Sequence, residues 1–332
     1  MTAEPTEALP ATGPRPGPWR RLARHAPLLL LLAVVLAFGA ISPVFRTPAN
    51  ARNILVQSSG VAVVAVGMTI VLITGGIDLS AGAVMFLSAA VAGKLVIGGW
   101  IPGLGPIPVP LAVALIVPLG LACGLVNAAL VAGGRIAPFV ATLATLYLAR
   151  GLALQITQTR PLPLPPGFLE LGRAAVLGLP LPAWILLAAA AAGQAMLSAT
   201  PLGRQLYALG HDPDAARRAG LRTTRLLAFA YVISGLCASL GGLIAVAQLG
   251  TVSPTFGAQR EFAAIAAAVL GGTSLFGGRG NVLPGTLVGV LLVQTLENGL
   301  NILNADPYSY PVVVGAVLFV AVLLDRLRRP RD

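Results

Sequence analysis

The sequence predicts an all-α fold: a polytopic membrane bundle of about ten transmembrane helices, some of them broken by glycines. Three observations carry this. Mean hydropathy is +0.87 and only 10% of the 332 residues are charged, whereas soluble domains run near a quarter charged. Apolar runs of about twenty residues recur, each enough to cross a hydrocarbon core of about 30 Å as a helix. Short segments of alternating polarity, the mark of a membrane β-barrel, do not appear.

Residues 1–18 are rich in Pro, Ala, Thr and Glu and lack periodicity, and a disordered cytoplasmic tail is expected over 1–26. "WRRLARHAPLLLLLAVVLAFGAISPVF" follows and reads as an uncleaved first span at 27–45. The competing reading is a secretory signal, with Arg20, Arg21 and Arg24 as its basic region and a cleavage site near "AFGA". Further spans fall at roughly 53–74, 79–99, 108–132, 137–156, 182–199, 226–248, 261–275, 282–303 and 310–325, so that 27–325 make one membrane domain. The eighth, "EFAAIAAAVLGGTSLF", is short and ends in two glycines, so a re-entrant segment competes with a full span. Re-entry would place "RLRRPR" outside, against the positive-inside rule, and a span is therefore expected. The prolines of 157–181 forbid a continuous helix and predict an external loop with one short interfacial helix.

The net charge is +11, from 21 Arg and one Lys against 11 acids. Nucleic-acid binding does not fit, because the arginines cluster at the ends of apolar runs. With the N-terminus inside and sides alternating, the cytoplasmic segments hold 15 of the 22 basic residues: Arg15, Arg20, Arg21, Arg24, Arg135, Arg204, Arg217, Arg218, Arg222, Arg225, Arg279 and, in the basic tail 326–332, Arg326, Arg328, Arg329 and Arg331. Both termini are thus expected in the cytoplasm. Cys123 and Cys237 sit alone in apolar segments, without metal-ligand spacing or a basis for a disulfide. No metal is expected in this chain.

Two polar features lie inside the spans. Asp78 follows a helix break at Gly75 and Gly76, and Asp78 or Ser80 is placed to cap the next helix. Its readings are a cap at the cytoplasmic membrane edge, a group lining a solute path, or a proton relay. In the ninth span Gln294, Glu297, Asn298 and Asn301 share one helix face. That face must point away from lipid, either knitting helices together or lining a polar path. Asn127, Thr142, Thr145 and Gln155 add amides and hydroxyls, a set that suits a neutral polyhydroxylated solute better than an ion.

A transporter needs an energy source. The phosphate-binding loop of ATPases requires a lysine, and the lone lysine, Lys94, has Ser88 where the first glycine belongs and Leu95 where Ser or Thr belongs. ATP hydrolysis by that machinery is excluded here, and no cofactor is expected in the chain itself. The largest cytoplasmic feature is the loop 200–225. Within it "DPDAARRAGL" predicts a short helix with Asp212 as N-cap, Pro213 in the first turn and Gly220 at its end. Asp214 near its start and Arg217 and Arg218 near its end suit the helix dipole. So short a helix is marginal alone, so the bundle or a partner protein must hold it.

"DAARRAG" resembles the E-A-A-x-x-x-G signature of ABC importer permeases, with Asp214 in place of Glu. "GRQLYALGHDPDAARRAGL", "GGIDLSAGAVM" and "AAVLGGTSLFGGRGNVLPGTLVGVLLVQTLENGLNIL" together resemble the permease subunits of ribose-type simple-sugar ABC importers, over about 27–325. The resemblance implies that 200–225 holds a coupling helix docking on a separate ATP-binding subunit through Gly203, Arg204, Asp212, Asp214, Ala215, Ala216, Arg217 and Gly220. It implies a permease homodimer, a solute-binding protein outside, surrounding lipid, and a bacterial cytoplasmic membrane. Gly75, Gly76, Asp78, Ser80, Asn127, Gln294, Glu297, Asn298 and Asn301 are the candidate lining of its translocation path. The alternative is an ion-gradient-driven transporter, for which Asp78, Glu261 and Glu297 are the available intramembrane acids.

Overall fold

The computed structural model describes residues 26–310, 312–316 and 319. The expected N-terminal tail, the basic C-terminal tail and most of the tenth span lie outside the described residues.

Twelve α-helices order the described chain: α1 Ala26–Ile41, α2 Pro48–Ile73, α3 Ala81–Ile97, α4 Val109–Ala128, α5 Pro138–Thr157, α6 Pro166–Arg173, α7 Leu181–Ala199, α8 Pro201–His211, α9 Pro213–Arg218, α10 Thr223–Leu249, α11 Arg260–Leu270 and α12 Leu287–Ile302. A π turn, Ala129–Gly133, extends α4, and another, Val282–Thr286, leads into α12. Among the described residues α2, α4 with its π turn, α5, α7 and α10 are long and apolar enough to cross a membrane, and α1 and α3 are shorter apolar helices. Strand content is limited to two two-residue pairs, β1 Leu162–Pro163 with β4 Thr251–Val252 and β2 Ala175–Val176 with β3 Leu179–Pro180. The short helix expected within 157–181 is α6. It is anchored by fully buried Phe168 and by Gly172, which lies on the Ala247 carbonyl.

The centre of the bundle is α10, packed against α2, α3 and α4. Glycines set these contacts. A Cβ on Gly235 would meet the Gly120 carbonyl and the Gly124 backbone, and one on Gly242 would meet the Met85 backbone at 2.6 Å. Lipid offers no hydrophobic drive between helices, so close backbone approach through small residues supplies the packing. Around it lies the main apolar cluster, with Met68, Phe86, Ile116 and Leu186 fully buried.

Two groups of loops mark the two ends of the bundle. At one end Gly278 N–H donates to the Ile73 carbonyl at 2.9 Å, beside Gly210 at the end of α8. At the other, Leu164 N–H donates to the Gly250 carbonyl at 2.9 Å and Gln248 Nε2 donates to the Val56 carbonyl at 2.8 Å. α9 belongs to the first end and the 158–180 segment to the second.

Two helices start inside the bundle. The chain leaves α2 at the α9 end and turns back as an irregular buried segment, 74–80, before α3 begins. Between α10 and α11 it re-enters from the opposite end as 250–259. Gly257 and Glu261 then lie against Gly82 in the first turn of α3. With only 11 residues, α11 is about 16 Å long, too short to cross a bilayer alone. The eighth span therefore does cross from one end to the other, as an irregular half followed by a helical half. Glu261 consequently sits in the bundle interior, although the first turn of a full-length span would have put it at the outer rim.

Leu177, 89% exposed at the 158–180 end, and exposed Ala208 on α8 report on the two ends. In a background lacking Cys123 and Cys237, Leu177→Cys and Ala208→Cys are expected to react with a membrane-impermeant maleimide from opposite faces of the membrane. Labelling of both in intact spheroplasts would refute this arrangement.

Candidate functional site

α9 forms as its sequence dictates. The Asp212 carboxylate accepts from the backbone N–H groups of Asp214 and Ala215, both at 2.9 Å. These bonds to the ionised form, chiefly that from Ala215, hold its pKa below the usual carboxylate range, with Arg218 and His211 adding to the effect. The cap is therefore intact at neutral pH and is lost only as acid titrates the carboxylate through that lowered value. At the other end Gly220 has φ +81°. Its N–H donates to the Arg217 carbonyl at 3.0 Å, and Leu221 N–H reaches the Ala216 carbonyl at 3.1 Å, the paired bonds of a Schellman stop. Ala216 is buried against the bundle, while Arg204, Asp212, Asp214, Arg217 and Arg218 are exposed. The Asp214–Arg217 contact, at 3.7 Å, joins two side chains that are each more than two-thirds exposed. Such a pair contributes little to stability, so this charge remains available to a partner. Gly203 is buried where α8 turns against the carbonyls of Met196 and Leu197.

A second site opens toward the opposite end. A cavity of about 650 Å³ lies between the first half of α2, the last turns of α10, the irregular segment 253–258, the start of α11 and α12. Gln294, Glu297, Asn298 and Asn301 all line it. Facing them are Asn53 and Gln57 from α2, Gln248 from α10, and Arg260. Gln294 donates weakly to Glu297 at 3.4 Å. Asn298 is nearly buried, yet its Oδ1 has no partner and its amide makes no hydrogen bond within the described chain. An amide that knits helices together would show an interhelical bond. Asn298 shows none and faces the cavity instead.

Asp78 goes elsewhere. It is fully buried, and its carboxylate accepts from Ser80 N–H at 2.9 Å, Ser80 Oγ at 2.6 Å and Ser234 Oγ at 2.6 Å, with Asn127 Nδ2 at 3.4 Å. Asn127 also donates to Ser80 Oγ at 2.8 Å. Ser80 occupies the cap position of α3, but its side chain makes no cap bond. The Asp78 side chain instead forms a turn onto Ser80 N–H just ahead of the helix. Ser234 lies 11 residues into α10, about 16 Å along it, so Asp78 lies inside the bundle and not at its edge. Gly76, Asp78, Ser80 and Asn127 thus gather around a polar knot joining α3, α4 and α10, Gly75 lies exposed near the Phe276 carbonyl, and none of the five lines the cavity. Gly75 takes φ +80° and Gly76 lies against the Tyr231 hydroxyl. Thr142 joins the same region, with its hydroxyl 3.4 Å from the Ile77 carbonyl.

Arg150 was not singled out by the sequence reading. It lies 12 residues into α5, where its guanidinium donates to the Pro254 carbonyl at 3.3 Å and sits 5.7 Å from the centre of the Phe86 ring. It holds the irregular cavity wall from behind. A lone arginine deep in an apolar run was the available signal.

Residues 50–323 match the family model described as the permease component of the branched-chain amino acid transport system. The chain is 42% identical to the ribose import permease of Bacillus subtilis (strain 168), across 90% of this chain and 92% of that one. It is 41% identical to the ribose import permease of Escherichia coli (strain K12), across 91% and 93%. The chain belongs to the ribose-type family of ABC import permeases. At 35% identity, across 92% of both chains, the permease also resembles the D-allose transport permease of Escherichia coli (strain K12). No solved structure matches it. These relatives lend no support to an ion-gradient-driven alternative.

The two polar groups respond differently to removal. Asp78→Leu leaves the Ser80 and Ser234 hydroxyls and the Ser80 N–H without their acceptor in the interior, at about 1–3 kcal/mol for each buried group, and is expected to lower the melting temperature of the purified permease sharply. Asn298→Leu breaks no bond, so its melting temperature should stay near wild type while uptake per folded molecule falls. A destabilised but fully active Asn298→Leu protein would remove this residue from the path.

Proposed function

We propose that the permease carries a neutral monosaccharide, or a related polyol or furanose compound, into the cytoplasm, and that ATP is bound and hydrolysed on a separate subunit docked at α9. The observation that carries the cargo assignment is the cavity's lining, in which amides from α2, α10 and α12 outnumber charged groups, with one acid, Glu297, and one base, Arg260. Amides both donate and accept, which is what several hydroxyls on one small molecule require. The names of the relatives point to the same class, being ribose and D-allose permeases; the galactose and methyl galactoside permease of Haemophilus influenzae agrees, at 31% identity.

In this reading the cavity end faces a solute-binding protein outside the cell, and the α9 end faces the cytoplasm together with both termini. Two permease copies in the bacterial cytoplasmic membrane, surrounded by lipid, form the path between them. Arg204, Asp212, Asp214, Ala215, Ala216, Arg217 and the stop at Gly220 present α9 to a cleft on the ATP-binding subunit.

The test is uptake by the permease reconstituted in proteoliposomes with its ATP-binding and solute-binding subunits. ATP-dependent accumulation of D-ribose or D-allose, with no accumulation of leucine, is expected. Leucine uptake alone, or uptake driven by a proton gradient without ATP, would refute the reading. Gly220→Val provides a test of docking. A β-branched residue is strained at positive φ, although open space surrounds the position. The variant should insert at the wild-type level and lose co-purification of the ATP-binding subunit; retention at the wild-type level counts against α9 as the docking element.

A further inference from the structure

The helix before the docking element touches the segment that joins α11 and α12, both of which line the cavity. In the last turn of α8 the backbone of Gly210 lies on Ile73, Gly277 and Gly278. A side chain at Gly210 would strike the Ile73 carbonyl, so the two chains meet there backbone to backbone. One turn earlier the Tyr207 hydroxyl donates to the Gly280 carbonyl at 2.7 Å. Burial beside this contact raises the Tyr207 pKa, so the phenol stays protonated and remains a donor.

Gly280 belongs to 271–281, the glycine-rich connection from the end of α11 to the π turn before α12. Gly272, Gly277, Gly278 and Gly280 all have positive φ. The segment is also tied on its α12 side. Asn281 Oδ1 accepts from Gly285 N–H at 2.7 Å, and Thr286 Oγ1 lies 2.6 Å from Thr69 Oγ1 on α2. Gln194 on α7 accepts from the N–H groups of Val282 and Leu283 at 3.0 and 2.9 Å. Both helices leaving this connection reach the cavity: α11 through Arg260 at its far end, and α12 through Gln294 to Asn301. Where α11 meets α12 the contact is again backbone to backbone, at Gly289 against Ala267, and just past the end of α11 Gly271 lies on Gly285 of the π turn. Close backbone approach of this kind packs α11 and α12 tightly together, so a shift of the connection is passed to both helices.

We propose that Tyr207 is a positioning residue for transport coupling. Its bond to Gly280 makes α8, α9 and the glycine-rich connection move as one body, so that displacement of α9 by the ATP-binding subunit is delivered to α11 and α12 and alters the cavity. The inference rests on α9 as the docking element, but it assigns transmission to a different residue and a different contact. Docking uses the exposed face of α9 together with exposed Arg204, and half-buried Tyr207 is not among those residues.

Tyr207→Phe keeps the ring and removes the hydroxyl. The experiment uses the permease assembled with its ATP-binding and solute-binding subunits, with D-ribose as the probe. Tyr207→Phe is expected to co-purify with the ATP-binding subunit at the wild-type level and to melt near the wild-type temperature. Its ratio of stimulated to unstimulated ATP hydrolysis, and its D-ribose transported per ATP, should fall about two- to tenfold, the range expected for loss of one hydrogen bond. Spin labels at Ala208→Cys and Arg279→Cys, in a background without Cys123 and Cys237, provide the second readout. Their separation should be the same in the nucleotide-free and ATP-trapped states of the otherwise wild-type chain, and should become broad or state-dependent when Tyr207→Phe is added. An unchanged coupling ratio in Tyr207→Phe, or a label separation that already differs between states with Tyr207 present, overturns the proposal. Loss of the ATP-binding subunit from the wild-type assembly would instead count against α9 docking, so the two failures are distinguishable.

Discussion

The rest of this permease depends on the backbone contact of α10 with its neighbours. In lipid, burying leucine against leucine gains little over burying it against acyl chains, so helices associate where their backbones can meet. Gly120, Gly124 and Gly235 make that contact with α4, Gly60 and Gly241 make it with α2, and Gly242 with α3. The result is a closely packed block of α2, α3, α4 and α10. The Asp78 knot binds the same block from inside, its carboxylate bonded to Ser80 and Ser234 with the Asn127 amide alongside. A buried carboxylate is tolerable because its acceptors are met by hydroxyl, amide and backbone donors.

Against this block the working parts divide by end. The cavity takes one wall from the first half of α2 and the last turns of α10, both part of the block, and another from segments that are less firmly held. Segment 253–258 has little regular structure and is fastened by Arg150, α11 is a half-length helix, and α12 starts from an irregular turn. α9 lies at the opposite end and presents charge to a partner. Discontinuous helices that meet in the bundle interior, as at Gly82 and Gly257, are a recurrent way for transporters to place polar backbone beside a path without exposing it to lipid.

Much of this was legible in the sequence wherever one physical rule acts locally. Asp212, Pro213 and Gly220 set the bounds of α9, because capping and positive φ depend on neighbouring residues alone. Gln294, Glu297, Asn298 and Asn301 were readable as one face because helical periodicity is fixed, and lipid excludes such a face from the outside. The rest depends on partners distant in sequence. Nothing near Asp78 says that Ser234, 156 residues on, will supply its donor, so a knot inside the bundle resembled a cap at its edge. α11 looked like a short span because hydropathy cannot show that 250–259 enters the bundle without being helical. Arg150 gave a real signal, a cation within an apolar run, but its partner is a backbone carbonyl, which no side-chain pattern reveals.

The central claim is that the polar cavity away from α9 is the solute's entrance. Asn301, exposed on the cavity lining, is the position to measure. In intact cells carrying Asn301→Cys without Cys123 and Cys237, a membrane-impermeant maleimide should modify this residue from outside, and D-ribose should slow the modification during ATP-driven turnover. Modification only from the cytoplasmic face, or at a rate indifferent to D-ribose and to the other sugars its relatives carry, would contradict the account.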